Sequence, residues 1–466
     1  MMTSLRTRLA IAAGKAVAAL ARRLRRGGTA MPGAIARRIQ PRLLTELTAR
    51  LPRGVVLVAG TNGKTTTSRM LADILSSAGL RLMHNRAGAN LTGGLTSVAL
   101  AAADSRGRIE ADIALFETDE AALPQVIRET RPRLVLLLNL FRDQLDRYGE
   151  IDTIVGNWRA ALQLLPADAL VLLNADDPAI ADLGSGLTAQ VRLFGLADQR
   201  HAAGRSTHIA DSQFCRRCGT RYVYTSVFYA HVGHYRCPQC GNGRPQPHYA
   251  LTVLELQGTE ASSLTIDAGT VPQLQLELPL PGLYNAQNAL AAAAAGLLLG
   301  ASGTQISTAL AGVQAAFGRI ERITTPRDGR SLLLVLIKNP VGASESVRMV
   351  TQAGNGLQLL IAINDRFADG TDVSWLWDAE FEPLAAAAAG ITVSGTRAAD
   401  MALRLDYADV PRERITVVDD LATALDQALT AVPPGGELLV LPTYTALLEL
   451  RKLLSDRGWA APFWQS

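Results

Sequence analysis

The sequence predicts an α/β protein. It has a phosphate-loop domain on a parallel sheet, interrupted by a four-cysteine insert and followed by a second, Rossmann-like α/β domain. Three observations predict it. The stretch Val55-Val56-Leu57-Val58-Ala59-Gly60-Thr61-Asn62-Gly63-Lys64-Thr65-Thr66 runs from an apolar segment through two glycines into a helical pattern of Met70, Leu71, Ile74 and Leu75, closed by Gly79. Short apolar segments then recur with helical stretches between them, on either side of residue 320. All four cysteines fall in two C-x-x-C pairs.

The first observation fixes the chemistry of the first domain. Strand, glycine loop and helix in that order let backbone N–H groups turn inward onto phosphate oxygens, and the helix N-terminus adds partial positive charge. Gly60, Thr61, Asn62, Gly63, Lys64, Thr65 and Thr66 form the candidate nucleotide loop. Lys64 would reach the β/γ-phosphates and the Thr65 hydroxyl would ligate Mg²⁺. The spacing departs from the commonest pattern, because Val58 stands where a further glycine is usual.

Later strands are expected at Ile113–Phe116, Leu134–Leu138, Leu170–Leu173 and Val191–Phe194, and in the second domain at Leu332–Leu336, Leu359–Ile363, Ile391–Ser394, Ile415–Val418 and Leu438–Leu441. Ligands in such sheets bind at the carboxyl ends of the strands, which directs attention to the polar residues there. Glu117 ends one strand and is the candidate Mg²⁺ ligand, with Asp119 and Glu120 as substitutes. Asn139 to Gly149 and Asn174-Ala175-Asp176-Asp177-Pro178 follow the next two strands; the second segment either holds nucleotide or is a turn. Lys338-Asn339-Pro340 and the loop Asn364 to Asp378 occupy the same positions in the second domain. That loop carries Asp365, Asp369 and Asp372, with Trp375 and Trp377 as candidates for exposure.

Composition bounds the rest. At 466 residues the chain is long enough for two or three domains. No apolar run reaches the length of a membrane span. The net charge of +4 is uneven: residues 1–50 carry +10 and the remainder −6. The chain has only four lysines, Lys15, Lys64, Lys338 and Lys452, so a lysine inside a motif carries extra weight. In the first 50 residues Leu5, Leu9, Ala13, Ala16, Leu20 and Leu24 recur at helical spacing among arginines. Lys15 interrupts the apolar stretch, which argues against an export signal. Two readings stand: a basic face for an anionic membrane surface, or a solvated helix packed on the body.

Cys215-x2-Cys218-x18-Cys237-x2-Cys240 predicts a structural zinc site. Two knuckles can place four thiolates tetrahedrally and leave no open position. The pattern also points to a reducing compartment. The insert, about residues 205–250, holds Arg216, Arg217, Arg221, Arg236 and Arg244 among aromatic residues, which keeps a nucleic-acid-binding ATPase open as a rival reading.

Together these motifs resemble the Mur ligases and folylpolyglutamate synthetases. The likeness rests on Gly60 to Thr66, Glu117, Tyr284-Asn285-x2-Asn288 and Gly318-Arg319-Ile320-Glu321. The cysteine insert, Lys338-Asn339-Pro340 and Asp369-Gly370-x-Asp372-x-Ser374-Trp375 narrow the resemblance to the MurT family, the ligase subunits of lipid II isoglutaminyl synthases. The resemblance implies a Mur-ligase-type central domain at 51–320, a MurT-type C-terminal domain at 321–466 and a basic helical segment at 1–50. It implies ATP, Mg²⁺ and structural Zn²⁺, with Asn285 and Lys338 joining the nucleotide site. It further implies amidation of the D-glutamate carboxylate of the lipid II stem peptide through an acyl-phosphate, with ammonia from a GatD-like glutaminase and no nucleic acid. The expected location is the cytoplasm, at the inner face of the membrane. An aspartate of the 365–372 loop, Asp372 first and Asp369 or Asp365 in reserve, would orient the partner's catalytic histidine. Two departures stand out. No lysine lies between Lys64 and Lys338 to be carbamylated, and Gln144 stands where Mur ligases often have a histidine. An amino-acid-adding ligase of the Mur or folylpolyglutamate type is the other rival.

Overall fold

A computed structural model of the chain describes residues 4–23, 30–85, 89–142, 150–202, 211–269, 272–313, 320–326, 328–352 and 354–461. Leu24, Arg25, Arg26, the stretch 143–149 with Gln144, and Gly318-Arg319 lie outside the described residues.

Eleven strands precede residue 280: β1 (Val55–Ala59), β2 (Leu82–His84), β3 (Ile113–Glu117), β4 (Leu134–Leu137), β5 (Leu170–Asn174), β6 (Gln190–Leu196), β7 (Val223–Tyr229), β8 (Val232–Arg236), β9 (Tyr249–Gln257), β10 (Ala261–Asp267) and β11 (Leu274–Leu278). Nine of them form one sheet in the order β11-β10-β9-β6-β5-β4-β1-β3-β2. It is parallel from β2 to β9. At β10 and β11 it becomes antiparallel. β1, β3 and β4 are buried at every position, as strands covered on both faces must be. Val56 and Val58 enter one core with Met70, Leu71 and Ile74. Val55, Leu57 and Ala59 enter the other with Phe116, Leu137 and Trp158.

The N-terminal helices Leu5–Arg23, Met31–Ile39 and Leu43–Thr48 bury Ala10, Ile11, Ala36, Leu43, Leu44 and Leu47 in that second core. The first helix turns Thr7, Ala10, Ile11 and Gly14 inward. Leu5, Leu9 and Leu20 are 75%, 56% and 57% exposed. The leucine spacing legible in the sequence therefore marks the outward face of this helix.

A second sheet is built from β12 (Ile320–Thr324), β13 (Ser331–Val335), β14 (Leu357–Ala362), β15 (Ala388–Ser394), β16 (Ile415–Val417) and β17 (Glu437–Pro442), in the order β12-β13-β17-β14-β15-β16. β13 to β16 run parallel. β12, not expected from the sequence, is an antiparallel edge strand. Residues Ile320 to Arg322, around which the boundary was drawn, thus belong to this sheet. Lys338 and the Asp365 to Asp372 loop leave the same edge of it, because both follow parallel strands.

The two sheets meet across the helix Leu283–Leu298. It is buried almost all round and made largely of alanine, which lets it pack closely on the loop helix Lys64–Ser77. A Cβ added at Gly296 would stand 2.8 Å from Ile74 Cγ2.

Candidate active site

The phosphate loop is braced from the segment that follows β4. Asn139 Oδ1 accepts from the Asn62 N–H at 2.8 Å, its Nδ2 donates to the Asn62 carbonyl at 3.1 Å, and its carbonyl accepts from the Thr61 N–H at 3.0 Å. Thr61 Oγ1 exchanges hydrogen bonds with the backbone of Phe141. Gly63 caps the loop helix with φ 87°, and a Cβ there would stand 2.2 Å from Asn288 Oδ1. Only glycine meets both demands. Lys64 Nζ donates to the Gly60 carbonyl at 2.6 Å and pairs with Glu120 at 2.6 Å. Glu120, a substitute Mg²⁺ ligand on sequence grounds, is thus the partner of the loop lysine.

Glu117 is 8% exposed at the end of β3, level with Val58 in the register of the adjacent β1. Its backbone is fixed by Asn85, whose Oδ1 accepts from the Glu117 N–H at 2.9 Å and whose Nδ2 donates to its carbonyl at 2.8 Å.

Opposite the loop stands the start of the helix Pro340–Thr351. Asn339 caps it, accepting from the Gly342 N–H at 2.8 Å, and Asn339 Nδ2 donates to Asn62 Oδ1 at 3.0 Å. Between these walls runs a cleft lined by Asn62, Gly63, Thr66, Asn285, Lys338 and Glu345, among others. The structure therefore brings Asn62, Gly63, Thr66, Asn285 and Lys338 onto one surface.

The three loop aspartates differ in what their carboxylates already hold. Asp369 accepts from both the N–H and the hydroxyl of Thr445. Asp365 accepts from Thr396 Oγ1 at 2.8 Å and pairs with Arg397 at 3.3 Å. Asp372 Oδ1 accepts from the Ser374 N–H at 2.8 Å. Hydrogen bonds from Ser374, side chain and backbone, lower its pKa, so it is ionised at neutral pH. Trp375 is buried; Trp377 is 49% exposed, edge-on to Tyr407. Only the second tryptophan of the loop is therefore available at the surface, with Phe367 at 96% exposure nearby in sequence.

The insert lies between the neighbouring parallel strands β6 and β9, so it serves as their crossover. The four sulfurs lie within 4.8 Å of one another, with Cys215–Cys240 at 3.6 Å and Cys218–Cys237 at 3.4 Å. Four thiolates at ~2.3 Å from a zinc ion stand ~3.8 Å apart, so the set fits Zn²⁺ with little adjustment. Burial opposes ionisation of Cys215, but N–H groups of Arg217 and Cys218 outweigh it and bring the thiol down to about 6.

The hairpin of this insert, β7 and β8, reaches the cleft. Its tip buries Tyr229 and His231 beside Phe141, whose backbone holds Thr61. Asp176 and Asp177 receive it. Asp176 pairs with Arg244 at 2.7 Å and its carbonyl accepts from the Gly233 N–H at 2.9 Å. His231 Nε2 lies 3.2 Å from Asp177 Oδ2; burial opposes charge on the imidazole, yet this carboxylate outweighs it and raises the pKa. The segment Asn174 to Asp177 therefore docks the insert. Arg216 and Arg217 face Asp152 and Asp182 at 3.0 and 3.8 Å, and Tyr222, Phe228, Tyr229 and Tyr235 are buried. Most of the insert's aromatic faces are thus turned inward, with Phe214 exposed at 61%.

Sequence reasoning missed Asn85 and the loop-bracing role of Asn139, which it placed only at the head of a polar segment, and it missed Glu345. The signal for the first two was present: Asn85, Asn139, Asn174, Asn339 and Asn364 each end or closely follow a parallel strand, where backbone groups of a binding loop need amide partners.

Comparisons agree with this geometry. The model of the Mur ligase middle domain matches residues 58–233, and that of the MurT ligase C-terminal domain matches 336–447. A lipid II isoglutaminyl synthase (glutamine-hydrolyzing) subunit MurT of Streptococcus pneumoniae is 34% identical, over 97% of this chain and 98% of its own length. The corresponding subunit of Staphylococcus aureus strain COL is 32% identical over 92% and 93%. A pseudomurein peptide ligase type C from Methanothermus fervidus shares the fold, with a TM-score of 0.66 at 20% identity over 89% of this chain and 80% of that one. With a Mur-ligase-type core, a matching C-terminal domain and likeness along nearly its whole length, the chain is a ligase and belongs to the MurT family.

Proposed function

We propose that this chain amidates the D-glutamate carboxylate of the lipid II stem peptide to D-isoglutamine, through an acyl-phosphate, with ammonia supplied by a GatD-like glutaminase. One observation carries the reading: a complete phosphate loop stands in a chain whose four cysteines all converge on one cluster. Glutamine hydrolysis by a cysteine nucleophile needs a free thiolate beside a base, a route closed to this chain, which favours ammonia from elsewhere. The named relatives, subunits of glutamine-hydrolyzing synthases, support the same division of labour.

The residues fit the groups that the reaction needs. The loop Gly60 to Thr66, with Asn285 and Lys338, would hold ATP; Thr65 and Glu117 would hold Mg²⁺. When bound, these groups supply the phosphoryl donor and neutralise its charge. Lys64 stabilises charge on the transferring phosphate. Asp372 would orient the partner's histidine as the third member of a triad. Asp369 and Asp365 stand in reserve for that role, and exposed Phe367 and Trp377 give the partner apolar surface. The domain division at 50 and 320, the zinc site and a cytoplasmic location complete the reading. No helix among the described residues is long and apolar enough to cross a membrane. Contact with anionic lipid would use the outward Leu5, Leu9 and Leu20 with the arginines around them.

The test is mass spectrometry of lipid II incubated with the chain, Mg-ATP and ammonium, then with glutamine and a GatD-like partner. Conversion of one carboxylate to an amide is expected, with glutamine usable only when the partner is present. ATP hydrolysis without amidation would overturn the reading. Asp372→Asn should cut glutamine-dependent turnover by about 100-fold or more and spare ammonium-dependent turnover.

A further inference from the structure

We propose that Glu345 accepts the proton from the nitrogen nucleophile as it attacks the activated carboxylate, an assignment that rests on the amidation reading of the cleft. Glu345 stands on the helix Pro340–Thr351 and lines the cleft whose other wall is Asn62 and Gly63. Its side chain is 10% exposed, and it accepts no hydrogen bond from a described residue. The nearest cation, Arg348, is 3.9 Å away, and its guanidinium already donates to the carbonyls of Phe228 and His201 at 2.6 and 2.7 Å. A carboxylate left nearly dry with one long ion pair costs stability, and such groups gather where chemistry needs them.

The surroundings set its basicity. Burial is the largest influence, Glu380 adds to it and Arg348 opposes it; together they push the carboxyl up to about 7. The phenol of Tyr229, on the hairpin of the insert, is another ionisable group that feels its charge, and Lys338, just before this helix, lines the same cleft. A base in that range works best at neutral pH. The same helix also touches the segment that follows the Asn364 to Asp378 loop, because Ser344 Oγ accepts from the Glu380 N–H at 3.0 Å.

The step balances simply. The ammonia lone pair forms the C–N bond at the acyl-phosphate carbonyl. The nitrogen gives a proton to the Glu345 carboxylate, and the C–O bond to phosphate breaks with its electron pair on the leaving phosphate. The products are amide, inorganic phosphate and protonated Glu345, which returns its proton to solvent.

Glu345→Gln tests this with two nucleophiles. Hydroxylamine is already neutral at pH 7 and needs less help than ammonia in shedding a proton. The variant should lose about 100-fold or more in ammonium-dependent amide formation. It should keep hydroxamate formation and the KM for ATP within a few-fold of wild type, and its rate, at constant free ammonia, should lose the acid limb near pH 7. Glu345→Asp should retain part of the amide rate and the limb. Parallel loss of amide and hydroxamate, or amide formation with the wild-type rate and pH profile, would overturn the assignment alone. Failure of the wild-type chain to form either product would overturn the amidation reading and the assignment with it.

Discussion

At the residue scale, Glu345 ties stability to function. Unfolded, its carboxyl titrates near the ordinary 4.5; folded, burial moves it to about 7. Between those values the folded chain holds a proton that the unfolded chain has released, so stability falls as pH rises through the window and stays lower above it. A shift of that size corresponds to about 3 kcal/mol. Glu345→Gln, judged deleterious to amide formation, is therefore expected to raise the melting temperature at pH 8 and to change it little at pH 5. Thermal unfolding at the two pH values checks this; an equal effect at both would show that the carboxylate is not the destabilising group. Little of this was legible in the sequence. Glu345 sits in an ordinary helical pattern, and only the approach of two sheets and an inserted hairpin dries it. The placing of Lys64 and Thr65 at a helix start and of Glu117 at a strand end was legible, because apolar runs and glycines mark those elements.

At the element scale, asparagine side chains do the joining. Asn139 braces the phosphate loop, Asn85 braces Glu117, and Asn339 reaches from the second sheet to Asn62 at 3.0 Å. The last bond ties the phosphate loop to the opposite wall of the cleft. Asn339→Ala removes it and also the cap of the helix Pro340–Thr351, a loss of about 1 kcal/mol. Steady-state kinetics should show a higher KM for ATP with a smaller change in kcat. An Asn339→Asp variant keeps an acceptor for the Gly342 N–H but cannot donate to Asn62. If it matches wild type in KM, the bond to Asn62 carries no weight. The strands themselves were legible wherever apolar residues ran unbroken. β12, β10 and β11 were not, because half-exposed strands at or beside a sheet edge alternate polar and apolar residues and read as ordinary globular sequence.

At the scale of the whole molecule, the cysteine insert is a strut rather than an appendage. One end gathers four thiols, and the other buries Tyr229 and His231 between the phosphate loop and the C-terminal sheet. The cysteine spacing disclosed the first end. The second was hidden, since docking depends on Asp176 and Asp177, which read as a nucleotide contact or a turn. Chelating the metal should lower the melting temperature and raise the KM for ATP severalfold, both restored by Zn²⁺; an unchanged KM would separate the insert from the cleft. All these parts converge on one claim, that the cleft activates a carboxylate by phosphorylation. The most direct measurement uses lipid II labelled with ¹⁸O in the D-glutamate carboxylate, turned over with Mg-ATP and ammonium, followed by mass analysis of the released phosphate. An acyl-phosphate route places one ¹⁸O in each phosphate formed with amide. Amide formed with unlabelled phosphate would contradict it.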